Sequence, residues 1–494
     1  MPAESRTLRA AAHCLVAGLV LAAGCGPARV LTRPEGDGGW SPERRRDELA
    51  ARATAAAVPL DPSAPAPQPE DVAAPLSLSD ALALATSGNR RISEADRGVE
   101  AAAAHVRDTR GELLPSTTGS GRYTWYSSAL RNAIALPAGL LPGVTNPSFV
   151  IREPQSGRVS GATVVPLDAT GRLWKTLTAS EAGYRGERAR AWATTLAQKV
   201  GVIRAYFDLL QAQQLRAVVE QNIVLDRAQV RNAQQRYDAG RLTKNELLVV
   251  QVALQDREQQ GRQRDLDIDR ARRDLNEAIG RPVDAPTAVV DVADRPALPS
   301  VDDALKDAFA NNPVLLSLVE EQQRLEDTAA ALARSRYPRF EAGGTADWTS
   351  EKILQPQGIG SGYVGMSWDL GTDGRREAQL AEARIQADRN RLAIERELRE
   401  LESAVRDTRE AAAERLAALD TARAAVGQAE ENLRIRQQQF DAGRATSEDV
   451  LDAQALLTQQ RASLATALYE AHTRRAELLE LMGLPLEELA SATR

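Results

Sequence analysis

Apolar residues recur every seven positions through the C-terminal half of the chain. Leu398, Val405, Ala412, Leu419, Val426, Leu433 and Phe440 follow one another without a break, and Leu401, Thr408, Ala422 and Ala429 occupy a second seam position. A heptad pattern held for this long predicts a coiled-coil helix, and its alanines permit close helix approach. Counted as one helix, 374–441 would be roughly 100 Å long at ~1.5 Å per residue, more than a globular domain accommodates. The same phase appears upstream at Thr195, Val202, Leu209, Ile223, Val230 and Tyr237, predicting a second rod over about 172–238. Elsewhere the period is two. Val364, Met366, Trp368 and Leu370 alternate with Gly365, Ser367 and Asp369, and Phe340, Ala342, Ala346 and Trp348 alternate more weakly. These runs predict strands with one apolar face.

The chain is written twice. Gln-Arg-Tyr-Asp-Ala-Gly-Arg-Leu-Thr at 235–243 returns as Gln-Gln-Phe-Asp-Ala-Gly-Arg-Ala-Thr at 438–446, so Gly240 recurs as Gly443 and Gly280 as Gly483, 203 residues on. Asp80-Ala81-Leu82 with Asn89 recurs as Asp303-Ala304-Leu305 with Asn312, and Pro115 and Trp125 recur as Pro338 and Trp348, all 223 residues on. The first copy therefore carries about twenty extra residues within Ser127 to Ser160. That stretch holds Pro137, Pro142, Gly143, Pro147 and Pro154 and reads as an enlarged surface loop between two strands. Each repeat runs helix, proline, strand pair, long helix, Ala-Gly turn, long helix, which makes four strands per chain. Four strands cannot close a barrel, so if they enter a membrane, where an open edge leaves backbone groups unsatisfied at several kcal/mol each, several chains must pool their strands.

Composition agrees with long helices. Only 4% of the 494 residues are aromatic while 26% are charged, which suits coiled coils better than globular cores. A formal net charge of -6 offers no basic excess for nucleic acid. His13, His105 and His472 are scattered, so no metal cluster is visible. Gly358-x-Gly360-x-Gly362 sits between strands without a fitting helix, and no phosphate loop occurs. No cofactor and no nucleophile-base constellation is called for, which argues against an enzyme.

The N-terminus has a basic start at Arg6 and Arg9, an apolar run from Ala10 to Ala23, and then Leu21-Ala22-Ala23-Gly24-Cys25. That is a secretory signal over 1–24, and its end resembles a bacterial lipobox with Cys25 as the lipidated (palmitate-type) first mature residue, Ala22 standing where Leu is commonest. The alternative is an ordinary signal peptide with an incidental cysteine. Residues 25–75 are Pro- and Ala-rich and read as a disordered tether. No other run approaches the ~18 apolar residues of a membrane helix.

The twin turns Tyr237-Asp238-Ala239-Gly240 and Phe440-Asp441-Ala442-Gly443, the run Asp449-Val450-Leu451-Asp452-Ala453-Gln454, and Asp369-Leu370-Gly371 with Gly374-Arg375-Arg376 resemble the TolC family of outer-membrane factors. The resemblance covers Leu76 to Leu489, as a first repeat at 76–298 and a second at 299–489, with 490–494 a tail. It implies a mainly α fold: a long coiled-coil helical barrel, plus four strands per chain in a trimeric, twelve-stranded transmembrane β-barrel. It further implies a lipid-anchored outer-membrane protein with a large periplasmic part, acting as the passive exit duct of a tripartite efflux or type I secretion system. Its partners would be two further copies of itself, a periplasmic adaptor, an inner-membrane transporter and outer-membrane lipid. The alternative from another class is a periplasmic coiled-coil adaptor or scaffold lipoprotein without a pore. By the same resemblance Asp452, Asp449 and Glu246 line the periplasmic aperture. The spacings Thr243-x-x-Glu246 and Thr446-x-x-Asp449 equally fit capping boxes, which leaves lining and capping both open for those two residues. Tyr237 and Phe440 are gate or packing residues, and Phe440 lacks the hydroxyl of the family's commoner Tyr. Gly240 and Gly443 are expected to end helices in the left-handed conformation, at the turns where the family docks its adaptor.

Overall fold

The computed structural model describes residues 75–133, 148–292, 295–351, 356–371, 374–442 and 444–487. The signal, Cys25 and nearly all of the tether, Gly443 and the C-terminal tail lie outside them. In chain order the elements are α1 (Leu78–Gly88), α2 (Arg90–Gly111), β1 (Ser116–Trp125), β2 (Leu130–Ala133), β3 (Ser148–Arg152), β4 (Gln155–Leu167), α3 (Arg172–Asp238) and α4 (Lys244–Ala278). The second repeat follows with α5 (Val301–Asn311), α6 (Pro313–Arg334), β5 (Arg339–Thr349), β6 (Gly358–Ser367), α7 (Arg375–Asp441) and α8 (Ser447–Leu481).

The two heptad runs are continuous helices of 67 residues each, α3 and α7. Along the distal part of the rods the helices lie side by side in the order α4, α3, α8, α7; nearer the sheet the order is α2, α3, α6, α7. The seam is buried in the middle of the rods, with Val202 and Leu209 of α3 and Val405, Ala412 and Leu419 of α7 fully enclosed, whereas Tyr237 and Leu398 on the same heptads are exposed. The largest apolar cluster lies midway along the rods, where α1 and α5 cover the junction of shorter helices; smaller clusters hold the two hairpin tips.

That junction explains why Asn89 and Asn312 recur. Asn89 caps α2, its Oδ1 accepting the Arg91 and Ile92 N–H groups at 2.9 and 3.4 Å, while its Nδ2 donates to the Ala278 carbonyl at the end of α4 at 3.0 Å. Asn312 does the same for α6 and α8: Oδ1 accepts the Leu315 N–H and Nδ2 donates to the Leu481 carbonyl, both at 3.0 Å. A helix start needs an acceptor and a helix end needs a donor. One amide supplies both, so α4 continues into α2 and α8 into α6 as spliced rods. Beside each splice a left-handed glycine, Gly280 or Gly483, lies so close to the carbonyl of Gly88 or Asn311 that a Cβ would overlap it.

The main sheet has the order β1-β4-β5-β6, antiparallel throughout and without a register break. The insertion read as a loop departs from that expectation. Its flanks Leu130–Ala133 and Ser148–Arg152 pair as a separate two-stranded sheet, and Gln155 to Ser160 already belong to β4. Phe149, Val150 and Ile151 supply the strand preference, while the Pro-rich middle, which drew the loop reading, falls outside the described residues.

Candidate functional site

Residues paired across antiparallel strands share a face, and faces alternate along each strand. The unbroken registers therefore sort the sheet completely. One face carries Tyr123, Trp125, Val159, Leu167, Phe340, Trp348, Val364 and Met366, with glycines between them. These side chains are largely bare in the single chain, Val364 at 79% and Met366 at 61% exposure. From Phe340 to Trp348 this face runs about 26 Å at ~3.3 Å per residue, close to the ~25 Å apolar band with aromatic ends of an outer-membrane strand. Tyr123 and Trp125 pack edge to face at 4.7 Å between ring centres at the end away from the helices, and Trp368 is exposed at the helix end. Among the described residues no helix is long and apolar enough to cross a membrane.

The opposite face is polar, with Thr118, Ser120, Thr124, Ser160 and Thr345 and the charged Arg122, Arg158, Glu341 and Asp347. The Thr345 and Ser361 hydroxyls meet at 2.8 Å. Here the Tyr363 ring lies across Gly343, where a Cβ would come within 2.7 Å of it and 2.8 Å of the Thr163 carbonyl. A side chain there would push the strands apart.

At the far end of the rods lie the hairpin tips. Gly240 is left-handed at φ 69°, and it closes α3 with Gly240 N–H donating to the Tyr237 carbonyl and Arg241 N–H to the Arg236 carbonyl. In the second tip the equivalent bond runs from Arg444 N–H to the Gln439 carbonyl at 2.8 Å. Both capping boxes are formed. Glu246 accepts from the Thr243 N–H at 2.9 Å and hydroxyl at 2.7 Å, and Asp449 from the Thr446 N–H and hydroxyl at 2.8 Å. These bonds hold both carboxyls below their ordinary values, with Arg436 assisting at Asp449. Asp452, one turn further into α8, is exposed and not in a cap. Tyr237 is also exposed, whereas Phe440 packs on the tip cluster of α7 and α8, with the Arg236 guanidinium 4.7 Å from its ring centre. The two tips of one chain are thus joined by a cation over an aromatic face.

Between the tips and the mid-rod cluster, α3 meets α8 through polar pairs. Gln211 donates to the Thr466 hydroxyl at 2.8 Å, Asn222 to the Thr458 hydroxyl at 2.7 Å, and Gln454 to Asp226 at 3.0 Å. Asp226 is 2% exposed and faces Arg257 of α4 at 3.4 Å. Burial raises its pKa against the opposing pull of Arg257. Sequence reading passed over Asp226, though Gln454 stood inside a motif it had singled out.

No curated protein matches the sequence significantly. A family model described as outer membrane efflux protein matches residues 81–281 and 304–484, one stretch per repeat. Among solved structures, the CmeC outer membrane channel of Campylobacter jejuni superposes with a TM-score of 0.69 at 15% identity, covering 82% of this chain and 85% of its own. VceC of Vibrio cholerae, an outer membrane protein, gives 0.69 at 16% identity, covering 83% and 97%. The MtrE outer membrane channel of Neisseria gonorrhoeae, in its open state, gives 0.65 at 17% identity, covering 82% and 89%.

Proposed function

The chain belongs to the outer membrane efflux protein family, and from that premise we propose that three copies form a passive, lipid-anchored exit duct through the outer membrane and periplasm. The observation that carries this is the two-faced sheet with two free edges, β1 and β6. Three copies joined edge to edge make twelve strands, with the apolar face toward lipid and the polar face toward a lumen wide enough for water. The helices repeat the situation, since α7 ends the row on one side and α2 and α4 end it on the other. Neighbouring copies satisfy all of these borders at once.

In this duct Asp452 is the main carboxylate of the periplasmic aperture. Asp449 and Glu246 contribute charge there while capping their helices. Three-fold repetition turns each into a ring that favours cations. The turns at Gly240 and Gly443 receive a periplasmic adaptor, Tyr237 and Phe440 set the packing or gating of the tips, and Cys25 carries the lipid. An inner-membrane transporter, in a tripartite efflux or type I secretion assembly, supplies the energy. A trimer in detergent by light scattering, which inserts into planar bilayers and loses cation preference in Asp452→Ala, is the expected result. A stable monodisperse monomer with full helical content would overturn the duct, and equal fatty-acid labelling of Cys25→Ser would remove the anchor alone.

A further inference from the structure

Arg122 and Arg158 are direct partners across β1 and β4, on the polar face of the sheet. Like charges set opposite each other on one face are destabilising, with Cβ atoms only ~5 Å apart. Both side chains are exposed, and neither takes part in an ion pair among the described residues. Their same-face neighbours along the strands are Ser120, Thr124, Ser156 and Ser160, none of which neutralises a guanidinium. On β5, Thr349 lies opposite Arg158, and Asp347 lies diagonally, opposite Ser160. Glu341 is six residues from Asp347 along β5, about 20 Å away at ~3.3 Å per residue. Asp347 and Glu351, two residues to either side of Thr349, match the two arginines in number, but among the described residues neither forms an ion pair with Arg122 or Arg158. The free β6 edge adds no acid, because its polar-face positions are Ile359, Ser361, Tyr363, Gly365 and Ser367. Arg122 and Arg158 stand three residues from the β1 and β4 ends remote from the helices.

We propose that this pair forms an oxyanion-binding ring near the outer exit of the lumen. The inference rests on the trimeric duct proposed above, in which six guanidiniums converge at one height. Guanidinium forks match carboxylate and phosphate oxygens in a bidentate manner, and charged rings of this kind set selectivity in pores. The ring's sign is opposite to that of the carboxylates at the periplasmic tips. A solute leaving the duct meets acids first and arginines last. Anionic groups on exported molecules are the class this end accommodates, and they offset the repulsion between the arginines.

The test uses the purified full-length trimer and inorganic tripolyphosphate. Added on the outer side of a planar bilayer, tripolyphosphate should block the current, and the half-blocking concentration should rise about tenfold or more in Arg122→Gln/Arg158→Gln, given the strength of charge-assisted hydrogen bonds. Arg122→Lys/Arg158→Lys, which keeps charge without the fork, should fall between. The Gln variant should melt no lower than the parent, since it relieves a like-charge contact, so loss of block would not report unfolding. Calorimetric titration of detergent-solubilised trimer with tripolyphosphate separates the two claims. Conductance with unchanged block and binding in the Gln variant would overturn the ring and keep the duct. Arginine-dependent binding without any conductance would overturn the duct and keep the anion site.

Discussion

α3 and α7 have the same length, the same glycine start and the same Ala-Gly finish, yet they occupy different places in the protomer. α3 is enclosed by α1, α2, α4, α6 and α8, whereas the main neighbours of α7 among the described residues are α5, α6 and α8. The residues record the difference position by position. The seam is kept: Val202 corresponds to Val405 and Leu209 to Ala412, all four fully buried. The second face is not. Leu196, Ile203 and Tyr206, each buried in α3, correspond to Arg399, Arg406 and Arg409 in α7. A narrow a/d seam suffices for a helix at the border of a layer, and a broad apolar stripe is needed inside it. The lesson is that equal periodicity says where helices are, and the width of the stripe says how many neighbours each has.

Exchanging the second face should have the largest effect. Ile203→Arg places a charge in the mid-rod core with no partner, which should cost about 4 kcal/mol or more and abolish recovery of folded protein. The reciprocal Arg406→Ile should change the melting transition by less than about 0.5 kcal/mol, as for an exposed position. Equal effects of the two, read by circular dichroism melts, would refute the difference between the rods.

At the splices, by contrast, the two repeats are alike. Asn89→Ala and Asn312→Ala each remove a cap and leave a carbonyl without its donor, so each should cost about 1–2 kcal/mol, and by similar amounts. A large effect in one repeat only would mean that the second joint is held by something else. The smallest effect belongs to the tips. Glu246 and Asp449 have lowered folded pKa values, so their caps contribute fully above the ordinary carboxylate range and are lost as the pH falls through the lowered values. The protection factors of the amides in the first turns of α4 and α8 should hold at neutral pH and fall as the pH drops below the ordinary carboxylate range. Thr243→Ala and Thr446→Ala should remove that step.

Much of the fold was legible because it is periodic. The heptads marked α3 and α7, and the two offsets placed Asn89 with Asn312 and Gly280 with Gly483. The role of those asparagines was not legible, since their second partners, Ala278 and Leu481, lie far along the chain and only the packed structure brings them near. The two arginines escaped for a related reason. Their opposition depends on register across the insertion, and a slip of one residue would send either to the other face. Capping at Glu246 and Asp449 was readable from local spacing, because a box is made within four residues.

The splices also bear on how the chain reaches its native state. α3 and α7 are built from contacts a few residues apart and can form as local helices, but a spliced rod cannot. Asn89 meets Ala278 across 189 residues, and Asn312 meets Leu481 across 169. Closing loops of that size carries an entropic cost that must be met before the contact rewards it, which slows folding. Neither splice can be made until the whole intervening repeat, strands included, has left the synthesis and export machinery. The first repeat can complete its joint while the second is still emerging, so the duplication also sets an order of assembly along the chain.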